Sequence, residues 1–312
     1  MTNPRVPRSP REIASFFRAL GSRPFRSLGQ NFLTDPGTLE RITDAAEVGR
    51  GDRVVEVGSG LGTLTRVLAE RAGYVRAVEI DDRLLRACRA SLPPGERLGY
   101  WRGDCLAAKS ALDPDLEQEI DNDARRFPDF AEKWVGNLPY SIATPLLVQL
   151  LATRGGIARV VATVQREVAD RLVASPGGDA YGALAVVAGL AARARITFTL
   201  PPGAFWPPPK VDSAVVVIEP LSERPRGISE LARRLPLLFS QRRKTLGPAL
   251  SRTLLGGVPA AEARRRIEAL GIDSRRRLES LSPGEFLALL QLLDVTNSGA
   301  GSCEGGQGEG IP

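Results

Sequence analysis

The sequence predicts an α/β protein, a mainly parallel β-sheet covered by helices on both faces, with an antiparallel edge and a small C-terminal all-α domain. Three observations carry this. Short apolar runs alternate with helical stretches through the first half of the chain, the pattern of a parallel sheet wrapped by its own connections. Two further apolar runs, "ARITFTL" (194–200) and "SAVVVIEP" (213–220), lie close together and suit an antiparallel pair at one edge. From about residue 222 the pattern is wholly helical. With 312 residues, 43% of them apolar, the chain has material for one large domain and a smaller one.

Taken in order, residues 1–26 carry scattered Pro and Arg and read as a basic, mobile N-terminal arm with one short helix around "PREIASFFRAL". Residues 27–221 form the sheet domain. Its strands are expected at "RVVEVG" (53–58), "YVRAVEI" (74–80), "LGYWRG" (98–103), "KWVGN" (133–137) and "ARVVATVQ" (158–165), separated by helical stretches such as "LGTLTRVLAERA" and "DRLLRACRASL". The acidic, poorly periodic stretch 105–132 reads as a helix-bearing surface connection. Residues 222–295 give a helical domain from "ISELARRLPLLFSQRRKTLGPALSRTLL", "PAAEARRRIEALG" and "SPGEFLALLQLLD", each broken by Gly or Pro. The Gly-rich remainder, 296–312, is expected to be disordered.

Composition narrows the chemistry. The chain has no His, which excludes Ser-His-Asp and Cys-His catalysis and every His-ligated metal site. Cys88, Cys105 and Cys303 share no metal-ligand spacing and predict neither a disulfide framework nor a metal. No apolar run reaches the roughly 18 residues of a membrane span, and the N-terminus lacks the apolar core of a signal peptide. The expectation is a soluble, cytoplasmic protein. The net charge of +6 is uneven: residues 1–26 hold six Arg against one acid, 27–221 hold 22 bases against 25 acids, and 222–295 hold 14 against 8. Basic ends around a slightly acidic middle suit a catalytic core flanked by surfaces for a polyanion, or else a solvated surface rich in Arg.

The first expected strand runs into "VVEVGSGLGTLT", which places Gly58, Gly60 and Gly62 at a strand end and a helix start. Glycine there permits a tight turn and close approach of a ligand to helix N–H groups. The spacing is G-x-G-x-G rather than the G-x-G-x-x-G of dinucleotide dehydrogenases. Glu56, just before it, would repel a pyrophosphate and suits a cationic or amine-bearing ligand. The second strand ends in Glu79, placed to accept both hydroxyls of a ribose, and the third in Gly103 and Asp104, where a carboxylate can accept from an adenine amino group. Three acids at successive strand ends describe S-adenosyl-L-methionine better than NAD; the plain alternative is three polar strand ends.

With "VGNLPYSIATPLL" (135–147) after the fourth strand, the sequence resembles the rRNA adenine N6,N6-dimethyltransferases, and among them those of the small ribosomal subunit. The resemblance runs from about residue 26 to 294 and rests on "LGQNFL" (28–33), "EVGSGLGTLT" (56–65), "VEID" (78–81), "GD" (103–104), "VQREVADRLVASPGGDAYGALAV" (164–186), "PPGAFWPPPKVDSAVV" (201–216) and "FSQRRKT" (239–245). Ser59 departs from it, standing where a Pro is frequent. The implied fold is a Rossmann-like S-adenosylmethionine-dependent methyltransferase sheet. The resemblance further implies that Asn31 and Leu33 close over the methionine end of the cofactor, that Gly58, Gly60 and their loop border it, and that Glu79 and Asp104 hold its ribose and adenine. Asn137, the Leu138 carbonyl and Tyr140 would bind the target adenine.

Two acceptors aimed at the hydrogens of an exocyclic N6 free its lone pair, Pro139 fixes the Leu138 carbonyl, and Tyr140 offers a face for stacking. Phe205 is a candidate for the opposite face of the base, or else packs the sheet edge. Arg242, Arg243 and Lys244 are candidates for gripping phosphates, or else a solvated helix face. The implied partner is 16S rRNA in the immature small subunit, met by a monomer without a metal or a membrane. Two other readings are a large-subunit (23S) rRNA methyltransferase of the macrolide-resistance type and an assembly factor without catalysis.

Overall fold

The computed structural model describes residues 5–108 and 111–292. The first half of the chain contributes α1 (Pro10–Ala19), β1 (Phe32–Leu33), α2 (Pro36–Ala45), β2 (Asp52–Val57), α3 (Thr63–Arg71), β3 (Tyr74–Glu79), α4 (Asp82–Ser91), β4 (Leu98–Arg102), β5 (Leu106–Ala108), β6 (Ala111–Leu112), α5 (Pro114–Arg126), β7 (Ala131–Asn137) and α6 (Ala143–Ala152). The second half adds β8 (Ile157–Gln165), α7 (Arg166–Leu172), α8 (Ala183–Ala191), β9 (Ala192–Leu200), β10 (Phe205–Trp206), β11 (Ser213–Pro220), α9 (Ile228–Phe239), α10 (Leu246–Thr253), α11 (Ala260–Ala269) and α12 (Pro283–Ala288).

Seven strands form one sheet in the order β4-β3-β2-β7-β8-β11-β9. The first five run parallel, and β11 enters antiparallel between β8 and β9. The chain thus grows outward from β2 in one direction through β3 and β4, then returns to β2's other side with β7. That reversal opens a crevice beyond the C-terminal ends of β2 and β7. There Gly58, after β2, lies against the Asn137 carbonyl and the Pro139 ring at the end of β7.

Burial explains why these runs became strands. Val54, Val75, Val135, Val161 and Val215 face one apolar layer, which α2 and α3 cover with Leu39, Ile42, Leu64 and Leu68. The opposite faces of the same strands join a second layer with α5, α6 and α8. This second layer continues without a break into Leu231, Leu235, Leu250, Ile267 and Phe286 of α9 to α12. The expected helical domain therefore shares its core with the sheet.

Two expectations need correction. The arm has the short helix expected around "PREIASFFRAL", α1, capped by Ser9 and started by Pro10, but it is docked rather than mobile. Ile13 and Phe17, one turn apart, are buried against Phe32, Leu61 and Leu84, so an amphipathic face docks the segment. The 105–132 connection is more than a surface link, because Leu116 and Ile120 of α5 are buried in the main core and Asp123 pairs with Arg76 at 2.6 Å. Its many acids obscure that stripe. The helical stretch read over 228–255 divides into α9 and α10, and the divide is a turn at 240–245 that carries "QRRKT". The expected tail, 296–312, and Cys303 lie outside the described residues.

Candidate active site

A cavity of about 230 Å3 occupies the crevice, between segment 27–33 on one side and the ends of β2, β3, β4 and β7 on the other. Its floor is the glycine loop. The Gly58 and Ser59 N–H groups both donate to the Val78 carbonyl, at 2.9 and 3.0 Å, folding the loop across the end of β3. Gly58, Gly60 and Gly62 all have positive φ, at 80°, 56° and 87°, conformations that side-chain-bearing residues rarely adopt. At Gly62 a β-carbon would also come within 2.8 Å of the Cys88 sulfur.

The acids are placed differently from one another. Glu79 is buried, and its oxygens accept one backbone N–H each, from Gly60 at 2.8 Å and Asp81 at 2.9 Å. Each oxygen keeps a second lone pair for a hydroxyl donor. Burial pushes its carboxyl upward. Glu56 is only 1% exposed; burial, reinforced by the charge of Glu79, pushes it up to about 8. Glu56 lines the cavity, but its Oε2 is closed off from solvent and has no hydrogen-bond partner among the described residues. Asp104 is exposed and lines the cavity; its Oδ1 accepts the Leu106 N–H at 3.0 Å.

Asn31, Leu33, Glu56, Gly58, Gly60, Glu79, Asp104 and Asn137 all border this one cavity. Asn31 donates from Nδ2 to the Gly29 carbonyl at 3.1 Å, and its own carbonyl accepts Nδ2 of Asn137 at 2.7 Å. Such a bond can be made only by the nitrogen of the Asn137 amide, so its oxygen remains an open acceptor.

The "NLPY" stretch has a structural logic. The Leu138 side chain is buried in the core beneath α6, and its N–H donates to the Thr163 carbonyl at 3.0 Å. The Pro139 carbonyl accepts from Ile142 and Ala143 at 3.0 and 3.2 Å, which starts α6. The turn is thus pinned to β8 on one side and to a helix start on the other. Tyr140 is half-buried, with its hydroxyl 2.9 Å from Ser213 Oγ.

Six expected residues do not line the cavity: Leu138 and Tyr140, which flank the lining residue Pro139, and Phe205, Arg242, Arg243 and Lys244, which stand further apart. Phe205 is 4% exposed and packs in the apolar layer with Leu33, Leu39 and Val215. It is also the strand partner of Leu33. The structure corrects the base-stacking expectation in favour of packing, because Phe205's ring is committed to the core. Arg242, Arg243 and Lys244 are exposed on the turn between α9 and α10, not on a helix face. Sequence reasoning also passed over Ser213, which holds Tyr140, and Gln30, whose side chain bonds Asp81. Only the polar character of Gln30 inside the apolar "LGQNFL" was a signal for either.

The glycine loop, the acids Glu56 and Asp104 in the lining and the twin acceptors on Glu79 together fit a ligand with a cationic end, a ribose and an adenine. Comparison with known proteins agrees in kind. The model of the family described as ribosomal RNA adenine dimethylase matches residues 22–294. The chain is 40% identical over 280 residues to ribosomal RNA small subunit methyltransferase A of Desulfitobacterium hafniense, covering 87% of this chain and 92% of that one. In structure it is similar to a dimethyladenosine transferase from Plasmodium falciparum, with a TM-score of 0.66, 25% identity, and coverage of 85% of this chain and 98% of that one. It is also similar to the 23S rRNA methyltransferase ErmE, with a TM-score of 0.56, 25% identity, and coverage of 85% and 100%.

Proposed function

This chain belongs to the ribosomal RNA adenine dimethylase family, and from that premise we propose that it methylates N6 of two adjacent adenosines twice each, in a hairpin loop near the 3′ end of 16S rRNA. It does so with S-adenosyl-L-methionine, as a monomer, in the cytoplasm, while the small ribosomal subunit is being assembled. The observation that carries the reading is the Asn137 amide, held at the mouth of the cavity by the Asn31 carbonyl with its oxygen unused.

The cofactor supplies a methyl group already activated on a sulfonium. Glu79 would hold its ribose hydroxyls, Asp104 its adenine amino group and Glu56 its cationic end, while Asn31 and Leu33 would cover the methionine portion. The chain's own task is to make N6 nucleophilic, since that nitrogen's lone pair is delocalised into the purine ring. Asn137 Oδ1 and the Leu138 carbonyl accept the two N6 hydrogens and draw the nitrogen toward tetrahedral geometry. Tyr140 supports the face of the base. Alignment of this kind is worth roughly 7 to 11 kcal/mol in well-oriented systems; the proton that N6 carries once methylated is acidic and passes to water, so no imidazole base is needed.

A base inside a helix cannot reach this site, so the target is looped or flipped out, with Arg242, Arg243 and Lys244 gripping phosphates nearby. The 40% identity to a protein named for the small subunit, against 25% to a 23S enzyme, favours the small-subunit target. The complete set of cavity residues disfavours an assembly factor without catalysis. Among the described residues no helix is long and apolar enough to cross a membrane.

The test is transfer of labelled methyl from S-adenosylmethionine to small subunits that lack the modification, followed by mapping of the modified nucleotides. Dimethyladenine in the expected loop is the predicted product. No transfer to any rRNA particle would overturn the enzymatic reading, and transfer to large subunits alone would redirect it to 23S rRNA.

A further inference from the structure

Residues 27–33 form the outer wall of the cavity, yet segment 22–33, to which they belong, contains no long element. Its only strand, β1, is two residues long. The segment's C-terminal end is held by the pairing of β1 with β10 and the burial of Phe32 and Leu33, and the stretch before it by a set of polar contacts to the start of α4. Gln30 closes the segment on itself, accepting the Phe25 N–H on Oε1 at 2.7 Å, and donates from Nε2 to Asp81 Oδ2 at 2.8 Å. Asp81 is 6% exposed and takes a two-pronged contact from Arg83, Nε to Oδ1 at 3.0 Å and Nη2 to Oδ2 at 2.6 Å. Arg83 in turn reaches the Ser22 hydroxyl and lies over the Phe25 ring, 3.9 Å from its centroid. Burial would raise the Asp81 carboxyl, but the hydrogen bonds from Arg83 and Gln30 outweigh it and hold the group below its ordinary range.

This cluster is wired to the site at both ends. The Asp81 N–H donates to Glu79 Oε1, and the residue after Gln30 is Asn31, whose carbonyl fixes the Asn137 amide. Both functional groups of the Gln30 side chain are already engaged, which suits a fastener better than a ligand.

We propose that the Gln30–Asp81 hydrogen bond is the latch that keeps segment 22–33 closed over the cofactor, making both positioning residues that set how long the cofactor stays bound and whether Asn137 is aimed. The proposal rests on the cavity being the cofactor site. Opening the latch frees the wall, exposes the bound ligand to solvent and releases the Asn31 carbonyl from Asn137. Asp81 also caps α4, so the cleaner probe is Gln30.

The experiment compares wild type with Gln30→Ala by amide hydrogen exchange in the cofactor-free protein and by the dissociation rate of S-adenosylhomocysteine. In the variant, exchange of residues 22–33 rises about tenfold, the effect of losing one hydrogen bond to a charged acceptor. S-adenosylhomocysteine leaves about tenfold faster, and the melting temperature of the cofactor-free protein stays unchanged. Gln30→Glu, which sets two carboxylates against each other, loosens the segment further, and adding Asp81→Asn to it restores a donor facing an acceptor and recovers protection. Unaltered exchange in Gln30→Ala, or a double variant as loose as Gln30→Glu alone, overturns the latch. If wild type itself fails to bind S-adenosylhomocysteine, the cofactor reading falls, while the exchange comparison still decides the latch.

Discussion

The side chain of Asn137 donates to the backbone carbonyl of Asn31 across 2.7 Å, joining the end of a central strand to a segment 106 residues earlier in the chain. The bond fixes the amide by chemistry, because a carbonyl accepts and only the amide nitrogen donates. The oxygen is then left as an acceptor with nothing to accept. Placement of the cavity's outer wall and orientation of the group that meets the base are therefore a single structural event.

Replacing Asn137 with Ala removes that acceptor. Transfer is expected to fall by about two orders of magnitude, the size found when one preorganised hydrogen bond at a reacting centre is removed. Affinity for S-adenosylhomocysteine falls by less than tenfold, since Glu79 and Asp104 remain. Single-turnover transfer beside calorimetric binding checks this. A matched collapse of both would make the residue's role structural.

The two aromatics are expected to separate cleanly. Phe205→Ala leaves a void in a packed layer and costs about 3 to 5 kcal/mol of stability, read as a lower denaturation midpoint, with target-RNA affinity little changed in the protein that remains folded. Tyr140→Ala lies at a half-buried position, and its main loss is about 1 to 3 kcal/mol of stacking on the base. Equal effects of the two on RNA affinity, with stability intact, would return Phe205 to the base.

These residues also show what the sequence makes legible. Glu79 and Asp104 were readable because each stands at the end of an apolar run, and in a parallel sheet all such ends lie at one edge. Phe205 was ambiguous because its environment is made by Leu33, Leu39 and Val215, which no local spacing relates to it. The pairing of β1 with β10 was invisible for the same reason: two residues on each side carry no periodicity. Ile13 and Phe17 were readable in principle as a helical stripe, but the surrounding Arg and Pro drew attention to charge instead. In α5 the acids hid Leu116 and Ile120 likewise.

Glu56 gives a pH signature whose sign follows from its burial. Burial pushes its folded carboxyl up to about 8 against 4.5 for the free group, so between those values the folded state binds more protons than the unfolded one. Stability contributed by this site must then fall as pH rises through that window. Glu56→Gln escapes the penalty. The variant should gain on wild type by on the order of 2 kcal/mol between pH 6 and pH 8, at about 1.4 kcal/mol per pH unit. Urea unfolding of both cofactor-free proteins at the two pH values measures it; a constant difference would place the carboxyl in its ordinary range.

The turn 240–245 tests the RNA surface. Arg242, Arg243 and Lys244 are exposed there, and none of them has an ion-pair partner among the described residues. By contrast, Arg233 and Arg234 of the preceding helix both contact Glu230. Unpaired cations on a turn can meet phosphates without first giving up a carboxylate. Each phosphate contact contributes about 0.7 to 0.9 to the slope of log affinity against log salt. Changing all three to Gln should therefore weaken binding to small subunits and flatten the slope by about 2 units or more, while S-adenosylhomocysteine binding is unaffected. Filter binding at several salt concentrations decides it: a slope equal to wild type's means these side chains face only solvent, and the phosphate grip must then be sought elsewhere on the basic surface.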